Sequence, residues 1–438
     1  MDRQHIRKLA QKAGFVKRSS RLTAEAFMQL LLYCSSLQES SSLAFMASVL
    51  EDSGIPIRKQ SLDERFNSSA VDFVKAVLRE FVEENLPELN SCPGDFGKAY
   101  NYIRIKDSTK FKVPDNMQEH FKGCGGSEAG MSIQYEYDLK TGKILDLRVY
   151  SGDRNDLTDT SESCKNIQAG DLVIRDLGYY NIEVFEHFKQ EKAFFPSKLK
   201  SNTNVYDMNG KKICFKTIYR EMCEKNPDCM QLDVYIGKEK QMPVRMILYP
   251  VDEQTYQKRI RDREKEARKR GEKVSEETRT RYHPSIFITN TTEEILPADK
   301  IYLIYKLRWQ IELMFKSWKS TFCIHETRKM KEDRYLCLLH ARLLLIVINT
   351  QIVWRMQGEM DIRNRKGKVE LLSFNKALRT LSTLFKSLYT ALWRGKQAAR
   401  KFFLHLRKKL ASNHQTERRK HKTGLNEIIE LFICESKN

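Results

Sequence analysis

The sequence is poorest in the features that would mark a metal-bound, secreted or membrane-spanning protein. Its ten cysteines are scattered, with no C-x2-C pair and no Cys/His cluster at zinc-ligand spacing, so no zinc site is indicated. Cys34 and Cys337 lie in apolar runs and read as small core residues. Cys214, Cys223 and Cys229 are too loosely spaced to define a site, and reduced thiols in a cytoplasmic protein are the simplest expectation. The Gly-rich stretch GCGGSEAG (123–130) is not followed by Gly-Lys-Ser/Thr, which makes it a turn rather than a phosphate loop. The opening residues, MDRQHIRKLAQKAGF, have no apolar core of signal-peptide type. The longest apolar stretch, Tyr335 to Trp354, is interrupted by His340, Arg342, Asn349 and Gln351. It reads as a buried helix and no membrane partner is expected.

Acidic residues are outnumbered. The 438 residues carry 77 Lys and Arg against 57 Asp and Glu, a formal net charge of +20. That balance fits a polyanionic partner, nucleic acid or an acidic membrane surface, and also a basic protein with neither. The length suits about three domain-sized units. Residues 1–92 read as helical, with segments near 3–12, 22–35, 40–52, 60–66 and 69–85 and with Thr23 and Ser61 as N-caps. The run SSLAFMASVLEDSGIPIRKQSLDERF has the layout of a helix-turn-helix, in which Arg58, Lys59, Gln60 and Arg65 would face DNA. A small helical bundle with a solvated basic rim fits the same residues.

After the break SCPGDFG, the periodicity switches to strands. Tyr102–Asp107 is an alternating strand, and Met131–Tyr137 and Leu145–Tyr150 form a hairpin across DLKTGK. A helix follows at 156–167, then the strand Leu172–Asp176, a helix Ile182–Lys189 and the strand AFFPS. The order β-β-β-α-β-α-β is that of an α/β, ribonuclease-H-like fold, which we place at 93–330. In such a fold Asp107 and Asp176 would end neighbouring strands, at the sheet edge where α/β sites collect. Residues 198–295 exceed what the fold needs and read as a β-rich insertion. It comprises the β-like pieces KKICFKTIY, QLDVYIG and VRMILYP, the basic helix QKRIRDREKEARKRGEK and the strand SIFITN. Residues 331–438 read as helical, with a loop at 356–370, a basic amphipathic helix or helix pair at Ser373–Leu410, a basic run ERRKHK and a closing helix TGLNEIIELFICES.

The stretch YKLRWQIELMFKSWK, Tyr305 to Lys319, organises the rest. It has no Pro or Gly and predicts a helix of four turns. At about 100° per residue, Tyr305, Arg308, Glu312 and Lys319 fall in one stripe. Leu303, Ile304, Leu307, Ile311, Met314, Phe315 and Trp318 fill the adjoining face, which a core would take. By spacing alone, Arg308 and Glu312 could be an ordinary i,i+4 surface pair. Asp107, Asp176 and Glu312 together make the oxygen ligand set of a two-metal phosphodiester site.

The pattern Y-x2-R-x3-E-x6-K, read as Tyr305, Arg308, Glu312 and Lys319, resembles the signature of the insertion-sequence family 4 transposases, bacterial DDE cut-and-paste enzymes. Asp107-Ser108-Thr109 and Asp176-Leu177-Gly178-Tyr179 match the contexts of that family's two aspartates. The resemblance covers about 100 to 330. It implies catalysis by Asp107, Asp176 and Glu312 with two Mg²⁺ or Mn²⁺ ions, and phosphate contacts from Arg308 and Lys319. It also implies a backbone contact from Tyr305, an N-terminal domain that grips double-stranded transposon ends, an insertion that helps hold hairpin-ended DNA, and a homodimer joined by the C-terminal part. Trp309 would stack on a displaced base. A ribonuclease-H-like nuclease without joining activity, and a catalytically silent DNA-binding remnant, are the alternative readings.

Overall fold

In the computed structural model, residues 2–37, 42–83, 97–238, 242–326, 328–360, 371–413, 425, 428 and 429 are described. The chain forms two compact units, one of Met1–Gly94, Ser108–Arg154 and Gln310–Asn438, the other of Asp95–Asp107 and Asn155–Trp309.

Helices α1 (Arg3–Lys12), α2 (Ala24–Ser36), α3 (Leu43–Asp52), α4 (Lys59–Arg65) and α5 (Ser68–Glu83) open the chain. Asp2, Thr23 and Ser42 each accept a hydrogen bond from the backbone N–H three residues on, satisfying donors that the first helical turn leaves without partners. Ser61 does not cap α4. The helix starts earlier, so that Arg58 occupies the N-cap position without a side-chain bond, and buried Leu62 lies in its middle. Phe15 packs on Phe27 and Phe73, and Phe27 on Phe66, which gives these helices one aromatic core.

Strand β1 (Ile103–Lys112) is longer than the sequence suggests, and Asp107 lies inside it rather than at its end. Strands β2 (Gly130–Asp138) and β3 (Ile144–Ser151) form the expected antiparallel hairpin. Next come α6 (Asp156–Ser163), a 3₁₀ turn at Cys164–Asn166, β4 (Leu172–Arg175) and α7 (Ile182–Gln190). The strand order is β3-β2-β1-β4, with β1 and β4 parallel. This mixed sheet flanked by helices is the ribonuclease-H-like core.

The stretch AFFPS only begins as a strand of this sheet. Phe194 donates its N–H to the Asp171 carbonyl and accepts one from Val173. Pro196, which has no N–H, then ends that pairing, and β5 (Pro196–Lys198) joins a second sheet. The second sheet is antiparallel, ordered β5-β9-β8-β7-β6. Its other strands are β6 (Val205–Tyr206), β7 (Met230–Ile236), β8 (Met242–Pro250) and β9 (Pro284–Thr289), with α8 (Phe215–Lys225), α9 (Glu253–Lys269) and α10 (Glu276–Arg281) between them. This is the β-rich insertion with its basic helix, α9. One piece differs: most of KKICFKTIY belongs to α8, because Phe215, Ile218 and Met222 bury one helical face, a spacing of three and four that outweighs the stretch's β-like composition.

Helix α11 (Ala298–Lys306) is followed by α12 (Trp309–Ser320), so the expected four-turn helix is interrupted. Leu307 and Arg308 donate to the carbonyls three residues back, a 3₁₀ tightening of the kind found at helix ends. Ile304, Leu307, Ile311, Met314, Phe315 and Trp318 are nevertheless all buried, as their spacing predicts, while Leu303 is half-buried. Helix α13 (Glu332–Glu359) follows, then α14 (Phe374–Trp393) and α15 (Lys396–Asn413). By length and hydropathy α13 would be able to span a membrane, but it packs against α2 and α5 and is mostly buried. It takes residues 356–359 of the expected loop. The rest of that loop, the break SCPGDF, the run ERRKHK and nearly all of TGLNEIIELFICES lie outside the described residues.

Candidate active site

The parallel register between β1 and β4 builds the centre of the site. Ile103, Arg104, Ile105 and Lys106 pair with Leu172, Val173, Ile174 and Arg175. Asp107 and Asp176 are the next residues on each strand. Side chains alternate along a strand, so Ile103, Ile105 and Asp107 share a face with Leu172, Ile174 and Asp176.

The opposite face carries buried charge. Lys106 pairs with Asp159 of α6 at 2.9 Å, and neither side chain is exposed to solvent. Arg104 pairs with Asp171 at 3.0 Å. Asp171 also accepts from Asn101 and from the Gln168 and Tyr102 backbone N–H groups. The strand segments that present the two aspartates are therefore fastened from behind by two buried ion pairs, of which Arg104–Asp171 is also hydrogen-bonded. Gly178, two residues beyond Asp176, lies where a Cβ would meet the Asp156 carboxylate at 3.3 Å, which accounts for a small residue in the D-x-G-Y run.

On the front face, Arg308 is the cation shared by both carboxylates. Its Nη1 lies 3.8 Å from Asp107 Oδ2, and its Nε lies 3.4 Å from Asp176 Oδ1. Tyr305, one helical turn earlier, is buried. Burial and then the Asp176 charge raise its hydroxyl pKa, against the neighbouring Arg308 guanidinium. Two residues with no signal in the motifs join this group. Lys198 of β5 places Nζ 5.8 Å from the centroid of the Tyr305 ring. Burial of its ammonium, then repulsion from Arg259 and Arg308, lower its pKa against the pull of Asp176. Arg259, on the basic helix α9, donates to Ser285 Oγ at 2.7 Å, and burial lowers its pKa.

Glu312 and Lys319 stand in the first and last turns of α12, both half-buried, in the other compact unit. Trp309 is 57% exposed, with the Arg308 guanidinium 5.9 Å from its ring centroid. At the N-terminal helices, Arg58 and Lys59 are exposed, whereas Arg65 donates to Ser20 Oγ at 2.9 Å. Among the described residues no group of three or more His, Cys, Asp or Glu is gathered as a metal cluster. The pair that is gathered fits a hard cation: two carboxylates close enough to share one guanidinium offer the oxygen donors that Mg²⁺ or Mn²⁺ prefers.

Comparison with known proteins matches residues 101–348 to the transposase DDE domain. The chain is 30% identical to the transposase of insertion sequence element IS231B of Bacillus thuringiensis subsp. berliner, over 94% of this chain and 90% of that protein. It is 30% identical to the transposase of IS231D of Bacillus thuringiensis subsp. finitimus, over 97% and 92%. With the transposase of IS1151 of Clostridium perfringens it shares 28% identity over 86% and 84%. The matched region takes in both aspartates, Arg308 and Glu312, and the alignments run through nearly the whole chain. The chain belongs to the DDE-domain transposases.

Proposed function

We propose that this chain is a cut-and-paste transposase of the insertion-sequence family 4 type, which binds the terminal repeats of its element, cleaves them and joins them to target DNA. The observation that carries the reading is Arg308 held between Asp107 and Asp176 within the Y-x2-R-x3-E-x6-K pattern. In this reading Glu312 completes the acidic set with the two aspartates. Two Mg²⁺ or Mn²⁺ ions held there would supply activation of the attacking oxygen and stabilisation of the leaving one.

The chain's own residues hold and orient the DNA. Arg308 and Lys319 grip backbone phosphates by charge-assisted hydrogen bonds, and Tyr305, against Arg308, supports the same contact. Trp309, exposed beside Arg308, offers a ring for a displaced base. Residues 1–92 grip the transposon end, with Arg58 and Lys59 presented at the start of α4 and Arg65 at its end. Residues 93–330 hold the catalytic core and its insertion, and 331–438 contribute to a homodimer that brings two ends together. Each end is cut through a DNA hairpin before joining.

The test is cleavage of labelled duplex carrying the boundary of the encoding element, in Mg²⁺ and in Ca²⁺. Release of a hairpin or blunt end at the boundary in Mg²⁺ is expected, and Glu312→Gln should abolish it while end binding persists. Normal cutting by that variant would overturn the site assignment. Cutting at random positions would indicate a plain nuclease, and tight binding without any cut a silent remnant.

A further inference from the structure

Arg308 is already engaged by two carboxylates, and Arg259 is tied to Ser285 Oγ and to the Tyr282 and Pro284 carbonyls. Lys198 differs from both. Among the described residues no carboxylate lies within ion-pair distance of its ammonium; the residue is exposed overall, while its ammonium is partly desolvated by the protein around it. It stands at the last residue of β5, in register with Phe287 of β9. Phe287 packs edge-on against Tyr305, with ring centroids 5.4 Å apart. The Lys198 ammonium lies over that same Tyr305 ring. Strand pairing and aromatic packing thus fix where Lys198 meets α11, beside Arg308 and on the side of the insertion.

A lysine partly desolvated and set beside two guanidinium groups, with Asp176 attracting it but no carboxylate in ion-pair contact, is stabilised when an anion arrives. The geometry points to Lys198 as a further anchor for a DNA-backbone phosphate, contributed by the insertion and acting beside Arg308 and Tyr305. This rests on the reading of the site as a DNA-end site. The insertion then shapes the substrate grip from the strand next to the carboxylates, as well as through the basic helix α9.

The experiment measures binding of the full-length protein to a duplex carrying the element's terminal sequence, in Ca²⁺, as a function of salt. Each phosphate contact contributes about 0.9 to the slope of log affinity against log salt. Lys198→Gln should therefore flatten that slope by roughly 0.9, so that its defect is about 3.5-fold larger near 50 mM salt than near 200 mM. Lys198→Arg should restore the slope. A second readout is pH. The lowered Lys198 pKa means that its charge is lost at lower pH than that of an ordinary lysine, in the range below 10.5. Wild-type affinity should fall over that range and that of Lys198→Arg should not. Two kinds of neighbour do not mimic this change: a guanidinium, as on Arg259 and Arg308, keeps its charge, and burial shifts the Tyr305 hydroxyl upward.

An unchanged slope in Lys198→Gln overturns the assignment. So does a loss that Lys198→Arg fails to restore, since a merely structural defect would behave that way; thermal melts of both variants identify misfolding. Binding in Ca²⁺ does not require cutting. Failure of the Glu312→Gln test would therefore remove the catalytic reading and leave the Lys198 result standing, and the converse also holds.

Discussion

The buried Lys106–Asp159 pair offers a sharp test of how the catalytic strand is held. Both side chains are fully excluded from solvent and their charged atoms are 2.9 Å apart. At an effective dielectric near 20, the attraction at that distance is about 6 kcal/mol before desolvation is charged against it. Removing one partner of such a pair typically costs about 3–5 kcal/mol, because the other charge is stranded, whereas replacing both by apolar residues is often close to neutral. Asp159→Asn should therefore destabilise the protein by about 3–5 kcal/mol, and Lys106→Met with Asp159→Leu should recover most of the loss. Urea denaturation followed by circular dichroism reads both, with the transition checked for separate steps because the chain has two units. Since Lys106 directly precedes Asp107, Asp159→Asn should also lower cleavage more than it lowers end binding. A loss within about 1 kcal/mol for Asp159→Asn, or a double variant worse than the single, would refute the stranded-charge reasoning.

Two further perturbations test packing and proton linkage. Gly142, in the β2–β3 turn, has φ +72, and a Cβ there would lie 2.1 Å from Trp354 Cγ. Gly142→Ala should therefore cost more than the ~1–2 kcal/mol of left-handed strain alone. Gly54→Ala, at φ +78 with open space around it, should cost only that strain, and equal losses in thermal melts would argue against the Trp354 contact. His340 is buried on α13, its ring bonded to the Leu336 carbonyl, and burial pulls its pKa from 6.5 down to about 4. The unfolded chain then binds a proton that the folded one refuses. The neutral ring contributes full stability above pH 6.5, and roughly 3 kcal/mol is lost as pH falls from there toward 4. His340→Gln should flatten that acid limb in urea titrations, and an unchanged limb would show that other groups set it.

Much of the site is legible in one dimension because parallel strands turn sequence position into spatial proximity. Once Tyr102–Asp107 and Leu172–Asp176 are recognised as strands of one sheet, a register that pairs Ile105 with Ile174 brings Asp107 beside Asp176. The burial of Ile311, Met314 and Trp318 follows just as directly from helical spacing. Composition misleads where it competes with periodicity. KKICFKTIY is rich in strand-forming residues, but the spacing of Phe215, Ile218 and Met222 decides for a helix. Local pattern also says nothing about Pro196, whose missing N–H moves the chain from one sheet to the other. That transfer delivers Lys198 to Tyr305, so a lysine outside every motif reaches the site through one lost hydrogen bond.

Arg308 shows the other limit of spacing. Its position in the motif relates it only to Glu312, four residues on. The fold points its guanidinium at Asp107 and Asp176, which are 201 and 132 positions away in the chain. Two carboxylates placed side by side repel each other, and a cation between them offsets that repulsion. An arginine can do this without losing its charge, which a lysine in the same surroundings is prone to do. The contrast lies within the site itself: desolvation, then the nearby Arg259 and Arg308, lower the pKa of Lys198. A guanidinium at the carboxylates and an ammonium over the Tyr305 ring are therefore suited to different tasks. Arg308 balances the acidic pair, while Lys198, with no carboxylate in ion-pair contact among the described residues, gains most when a phosphate supplies that contact.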